Sequence, residues 1–253
     1  MNWLLLHGFV GSSEDFVPLR SALGNPESVS APDWPGHGTR SGLREREDYS
    51  LEAHLRIIDD ASAGLRPGPV TLVGYSMGGR ILQHWLASRS PKLPPGSRVA
   101  LVSTSPGITG EAERANRRAG DAAVARLLRE EGMTRFLHYW HWQTMFQPLM
   151  RLPREQLSPI LRRRAECDPE GLALSLEAVG SGALHDTWSA LPRLRTRVDL
   201  VAGELDPRYA ELTTQMARLA PSAHTQIVPG AGHALHLEAP VALAKVLSLD
   251  FLV

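Results

Sequence analysis

The 253-residue sequence has a single cysteine, Cys167, so a fold stapled by internal disulfides is excluded and a reducing compartment is expected. It also has no excess of charge, with 27 Lys+Arg against 27 Asp+Glu. That balance excludes a global field recruiting nucleic acid or an anionic bilayer. No apolar run approaches the ~20 residues needed to span a membrane. The opening MNWLLLHGF lacks the basic stretch that begins a signal peptide. Lysine is almost missing. Only Lys92 and Lys245 occur, so arginines will stand in many places without special meaning. The expectation is a cytoplasmic protein, monomer or small homo-oligomer, with neither nucleic acid nor membrane as partner.

What is present is a repeated alternation of strand and helix. Short apolar runs lead into turns and then helical patterns: WLLL (3–6), ESVSA (27–31), PVTLVG (69–74), SRVALVS (97–103), TRVDLVA (196–202) and HTQIV (224–228). Runs of this kind read as buried parallel strands, about six in number, in a doubly wound α/β sheet. The rhythm breaks between 107 and 190, which is rich in Arg and Trp and helical in pattern. The expected organisation is a core of 1–106 and 191–253 with a helical lid, 107–190, over the carboxyl ends of the strands.

The stretch GYSMGGR (74–80) places Ser76 between a strand and a helix in the G-x-S-x-G pattern of a nucleophile elbow. The tight turn lifts the hydroxyl clear of the sheet, and the next N–H, that of Met77, points where an oxyanion would form. LLLHGFVG (4–11) supplies the other half of such a hole through the Phe9 N–H, and PDWPGHG (32–38) is a further turn at a strand end. A serine needs a base and the base needs orienting. Following the order Ser, acid, His, the acid is Asp206 in GELDPR and the base His233 in AGHALHLEAP. Glu204 is the rival acid and His236 the rival base. His7 and His37 read as turn-shaping groups, and His138 and His141 as helix surface or pocket wall. No histidine spacing makes a metal site.

Arg80 lies one helical turn beyond Ser76 on nearly the same face. A guanidinium beside a buried helix is costly unless a protein carboxylate or a ligand anion pairs with it. Residues 108–164 hold eleven arginines against six acids, around the aromatic cluster FLHYWHW (136–142). A positive lid over a serine suggests an anionic, carboxylate-bearing substrate.

Together HGFVG, PGHG, GYSMGGR, SPGITGEAERANRR and GAGHALHLEAP resemble the 2-succinyl-6-hydroxy-2,4-cyclohexadiene-1-carboxylate synthases of menaquinone biosynthesis, from about residue 3 to 250. The elbow alone is generic; the arginine after Gly-Gly and the ER..RR stretch are more specific. The resemblance implies an α/β-hydrolase fold, no cofactor and no metal. It implies a lyase that expels pyruvate from 2-succinyl-5-enolpyruvyl-6-hydroxy-3-cyclohexene-1-carboxylate, a polycarboxylate. It also implies catalytic Ser76, Asp206 and His233, and substrate binding by Tyr75, Arg80, Arg117, Trp140 and Arg164. Arg162 and Arg163 compete with Arg164, and Trp142 with Trp140. An antiparallel hairpin common at the front of such folds has no room before WLLLHG. A serine hydrolase working through an acyl-Ser76 uses the same triad and is the alternative. A non-enzymatic binding protein on this scaffold is disfavoured by the intact Ser/Asp/His order and by both oxyanion loops.

Overall fold

A computed structural model describes residues 1–248; the end of the expected core segment, 249–253, lies outside the described residues. Six strands form one parallel sheet: β1 (Asn2–Leu6), β2 (Val29–Ser30), β3 (Val70–Tyr75), β4 (Arg98–Val102), β5 (Arg197–Gly203) and β6 (Ala223–Val228). Their spatial order is β2-β1-β3-β4-β5-β6. The helices are α1 (Val17–Ala22), α2 (Leu51–Ala63), α3 (Met77–Arg89), α4 (Glu111–His141), α5 (Arg154–Ala165), α6 (Pro169–Val179), α7 (Pro207–Ala217), α8 (Leu235–Glu238) and α9 (Pro240–Ser248).

The apolar runs fold as central strands because the sheet buries both of its faces. On β1, Leu4 and Leu6 join one core cluster with Leu72, Ile81 and Val99, while Trp3 and Leu5 join a second with Val73, Tyr75 and Val102. This is the period of two that sends alternate side chains to opposite faces. Each fully buried leucine contributes about 1.5–3 kcal/mol relative to exposure. At the edge the signal weakens. The expected strand 27–31 shrinks to Val29–Ser30, because only β1 offers it partners.

Between β4 and β5 the chain leaves the sheet for α4, α5 and α6, with no strand among the described residues there. Helix α4 is broken at Gly132, whose φ of 69° and ψ of −173° are not helical. Its apolar face, including Ala125, Leu128 and Phe136, packs on Leu172 and Leu176 of α6 and on Val10 of the loop after β1. This third cluster joins the helical segment to the sheet's carboxyl edge.

Candidate active site

The sheet order reverses between β1 and β3, and a crevice opens there beyond their carboxyl ends. The loops after β1, β3, β5 and β6 meet at this edge. Ser76, between β3 and α3, has φ 50° and ψ −111°, a strained conformation for a residue with a side chain. Three bonds hold it: its N–H to Val102 O (3.0 Å), its O from Thr104 Oγ1 (2.7 Å), and its O from the Arg80 N–H (3.1 Å). The glycines of the motif are required by close approach. A Cβ on Gly78 would lie 2.3 Å from Leu6 O, and one on Gly74 would lie 2.6 Å from Gly79 Cα. Only a bare backbone lets α3 start so near β1.

The His233 ring reaches both partners at once. Its Nδ1 is 2.6 Å from Asp206 Oδ2 and its Nε2 is 3.0 Å from Ser76 Oγ. Asp206 accepts through Oδ2, so Nδ1 carries the proton and Nε2 is the atom left to take one from the serine. Burial is the largest influence on this imidazole and pushes its pKa below the ordinary value; the bond and the charge of Asp206 oppose that, and Arg80 adds to it. The ring therefore favours the neutral form a base requires. Glu204 has another task. It is exposed and accepts the Gly230 N–H at 2.8 Å. His236 is buried within α8, its ring 4.3 Å from that of Tyr75.

Met77 is the first residue of α3, so its N–H has no acceptor within the helix and sits at the positive end of the helix dipole. Phe9 is carried by the loop after β1, and that loop is locked. His7 Nε2 accepts the Trp34 N–H (3.2 Å), its Nδ1–H donates to Gly8 O (2.8 Å), and Trp34 Nε1–H donates to His7 O (2.9 Å). Asp33 ties the neighbouring turn by accepting the Ser13 N–H (2.7 Å) and the Thr39 N–H (2.9 Å). Burial alone would raise this carboxyl; the N–H donors outweigh it and hold it below its usual value.

A cavity of about 500 Å³ opens over Ser76, lined by both the sheet edge and the helical segment. Phe9, Tyr75, Met77, Arg80, Arg117, Trp140 and His233 all line it. Its apolar wall is aromatic. Trp140 packs against Phe9 (5.3 Å) and Phe146 (5.1 Å), and Phe146 meets His233 edge-on at 5.6 Å. Trp142, the rival of Trp140, is 69% exposed and points away.

Arg80 is half-buried, its Nε is buried without a partner, and among the described residues no carboxylate pairs with it. Burial, with some repulsion from Arg117, lowers its pKa. Among the described residues nothing bonds its Nε, and the Asp121 carboxylate offsets only part of the cost. Arg117 bonds through Nε to Asp121 Oδ1 at 2.8 Å.

Arg164 is placed differently from the expectation. It is buried, donates from Nη1 to His141 Nε2 at 3.0 Å, and does not line the cavity. Burial first, and then this guanidinium, push the His141 imidazole down to about 4, so it stays a neutral acceptor. Arg163 turns to Asp15 (2.7 Å) and Arg162 is exposed; none of the three lines the cavity. Most other lid arginines are likewise engaged at the surface, as Arg129 is with Glu170 and Glu177. Several lining residues escaped notice in the sequence, among them Arg208, Tyr209 and Asp121. Arg208 and Tyr209 follow Asp206 directly on α7, and the Tyr209 ring packs 4.6 Å from His233; Asp121 lies one helical turn beyond Arg117. Proximity to the acid in DPRY was the available signal for the first two. Among the described residues no cluster of ligating side chains could hold a metal.

Fold and site geometry are those of an α/β enzyme, and the chain belongs to the alpha/beta hydrolase family, whose family model matches residues 3–246. It is similar to the Bacillus subtilis (strain 168) protein named "Putative 2-succinyl-6-hydroxy-2,4-cyclohexadiene-1-carboxylate synthase", at 29% identity over 96% of this chain and 87% of that one. The 2-succinyl-6-hydroxy-2,4-cyclohexadiene-1-carboxylate synthase of Salmonella paratyphi C (strain RKS4594) is 28% identical over 97% of this chain and 93% of its own. The solved structure of MenH from S. aureus superposes with a TM-score of 0.85 at 29% identity, covering 98% of this chain and 91% of that one. No helix among the described residues is long and apolar enough to cross a membrane.

Proposed function

We propose that the protein is a 2-succinyl-6-hydroxy-2,4-cyclohexadiene-1-carboxylate synthase of menaquinone biosynthesis, eliminating pyruvate from the 5-enolpyruvyl cyclohexene precursor. The observation that carries this reading is the unpaired Arg80 in the wall of a cavity that also exposes Ser76. Hydrolysis of an uncharged ester gives such a cation nothing to bind, and a hydrolase reading needs an anionic substrate as well. A substrate with three carboxylates meets that need, and Arg80, Arg117 and Arg208 line this cavity.

The chemistry follows from the two ring systems. Conversion of a 3-cyclohexene into a 2,4-diene removes the proton from ring carbon 2 and the enolpyruvyl oxygen from carbon 5. Carbon 2 bears the succinyl ketone, so its proton is the acidic one, and its loss places negative charge on the ketone oxygen. Ser76 Oγ, giving its own proton to His233 Nε2, takes the ring proton. The Phe9 and Met77 N–H groups hold the enolate oxygen, and Asp206 stabilises the imidazolium. As the charge returns, the double bonds shift and the bond from carbon 5 to oxygen breaks. The leaving enolate of pyruvate takes up the proton that His233 acquired. No bond to Ser76 Oγ from carbon is needed.

The test is to supply the enolpyruvyl substrate and follow pyruvate together with the ultraviolet absorbance of the diene. Both should appear in equal amounts and vanish in Ser76→Ala. Pyruvate release at the native rate in that variant, or an isolable acyl-Ser76, would refute the reading and favour a serine hydrolase.

A further inference from the structure

Asp121 is an unexpected residue in a cavity built to receive carboxylates. It is 6% exposed, it lines the wall beside Arg117, and its Oδ2 is buried with no hydrogen-bond partner. It also lies against the end of α6. A Cβ on Gly180, the residue that follows that helix, would come 2.7 Å from Asp121 Oδ2. A helix C-terminus is the negative end of its dipole and repels a carboxylate. Half-satisfied, buried and dipole-opposed, this acid does not serve stability.

What it does accomplish is geometric. Arg117 is bonded through Nε alone, to Asp121 Oδ1. A guanidinium gripped at Nε presents its two Nη atoms together on the opposite side, which is the fork that engages a carboxylate through two parallel bonds. Without that grip, a side chain 42% exposed would wander among rotamers and lose entropy on binding. The Asp121 charge also offsets the repulsion that Arg117 exerts on Arg80.

We infer that Asp121 is a positioning residue. It holds Arg117 with its Nη edge turned to the substrate and so sets the cavity's affinity for polycarboxylates. The inference rests on the proposed function only for the identity of the substrate.

The test compares Asp121→Asn, Asp121→Ala, Arg117→Ala and the Asp121→Ala/Arg117→Ala double variant. Pyruvate release gives KM and kcat, and titration calorimetry with citrate gives the Kd of a tricarboxylate without turnover. Asp121→Ala should raise both KM and the citrate Kd about tenfold, with kcat within about threefold. Asp121→Asn, whose Oδ1 still accepts the Nε–H, should recover part of that loss. The double variant should bind no more weakly than Arg117→Ala, because one residue acts through the other. Melting temperatures of the Asp121 variants should not fall below the native value. Unchanged KM and citrate Kd in Asp121→Ala, or losses that multiply in the double variant, would overturn the inference. A native enzyme that binds citrate but releases no pyruvate would sink the proposed function and leave the Asp121 comparison readable.

Discussion

Replacing Arg80 with methionine should move activity and stability in opposite directions. Methionine keeps an unbranched stem of similar reach and removes the charge. In the folded protein that charge is half-buried on α3, with Nε unpartnered and with Arg117, a like charge, nearby. Taking a guanidinium partly out of water without a partner is unfavourable, so its removal should stabilise by about 1–2 kcal/mol after allowance for the solvent that still reaches it. For a chain of this size, at about 2–4 °C per kcal/mol, the melting temperature should rise by about 2–8 °C. Activity should fall. If the guanidinium forks a substrate carboxylate in the transition state, kcat/KM loses about 2–4 kcal/mol, a factor of about 30 to 900. Arg80→Lys, which retains charge but not the fork, should lie between the two in activity and show no gain in stability. Differential scanning calorimetry and pyruvate release on the same preparations read both quantities. A melting temperature that falls with activity would show Arg80 to be a structural anchor, and an unchanged kcat/KM would remove it from substrate binding altogether.

Asp206→Asn should lower kcat by about 10³–10⁴, because the amide leaves His233 in the wrong tautomer. Glu204→Gln should change kcat by less than about threefold, since Glu204 bonds only the Gly230 N–H; equal losses in the two would reverse the assignment of the acid. Burial holds His233 below the ordinary imidazole pKa of about 6.5, so kcat/KM should stay level as pH drops past 6.5 and decline only at lower pH. Stability should behave oppositely to a charged histidine's. Burial, the largest influence on each, takes His37 to about 3, His54 to about 4 and His236 to about 3. The unfolded chain then takes up protons at about 6.5 while the folded one does not. Their contribution is complete above pH 6.5 and is lost as pH falls from there, toward 4 for His54 and toward 3 for His37 and His236, with a slope approaching about 1.4 kcal/mol per unit for each. Urea midpoints at pH 7, 6 and 5 check this, and a constant midpoint would contradict it.

Central strands and the elbow were legible in the sequence because short-range sterics dictate them. A run such as VTLVG buries both faces readily inside a parallel sheet, and backbones can approach as closely as they do at Gly74 and Gly78 only where a Cβ is missing. Asp206 and His233 were found by chain order, since each follows a strand whose carboxyl end faces the same edge. The arginines were another matter. Consecutive residues on a helix point about 100° apart, so Arg162, Arg163 and Arg164 cannot be ranked until packing fixes the rotation of α5. That rotation sends Arg164 to His141 and Arg163 to Asp15. Counting lid arginines likewise overstated the positive cavity wall, because nothing in the sequence says that Glu170 and Glu177 lie across from Arg129.

Four unfavourable features of this protein gather in one place. A serine at φ 50°, a neutral histidine locked in the interior, a guanidinium whose Nε has no partner and a carboxylate at the wrong end of a helix all face one cavity. Each lowers stability, and each has a counterpart in the charge movement of a proton abstraction beside several carboxylates. Other buried unpartnered groups, His37 Nε2 and His54 Nε2, lie away from the cavity, near the His7–Trp34 lock. Their rings pack against His7, Phe9 and Trp34 beneath the loop that carries Phe9. The distinction can be measured. Substituting an orphan of the cavity should exchange activity for stability, as at Arg80. Substituting His54 by phenylalanine should flatten the acid limb of the stability profile and leave the activity profile where it stands. A shift of the activity profile in His54→Phe would join the two groups and undo the separation.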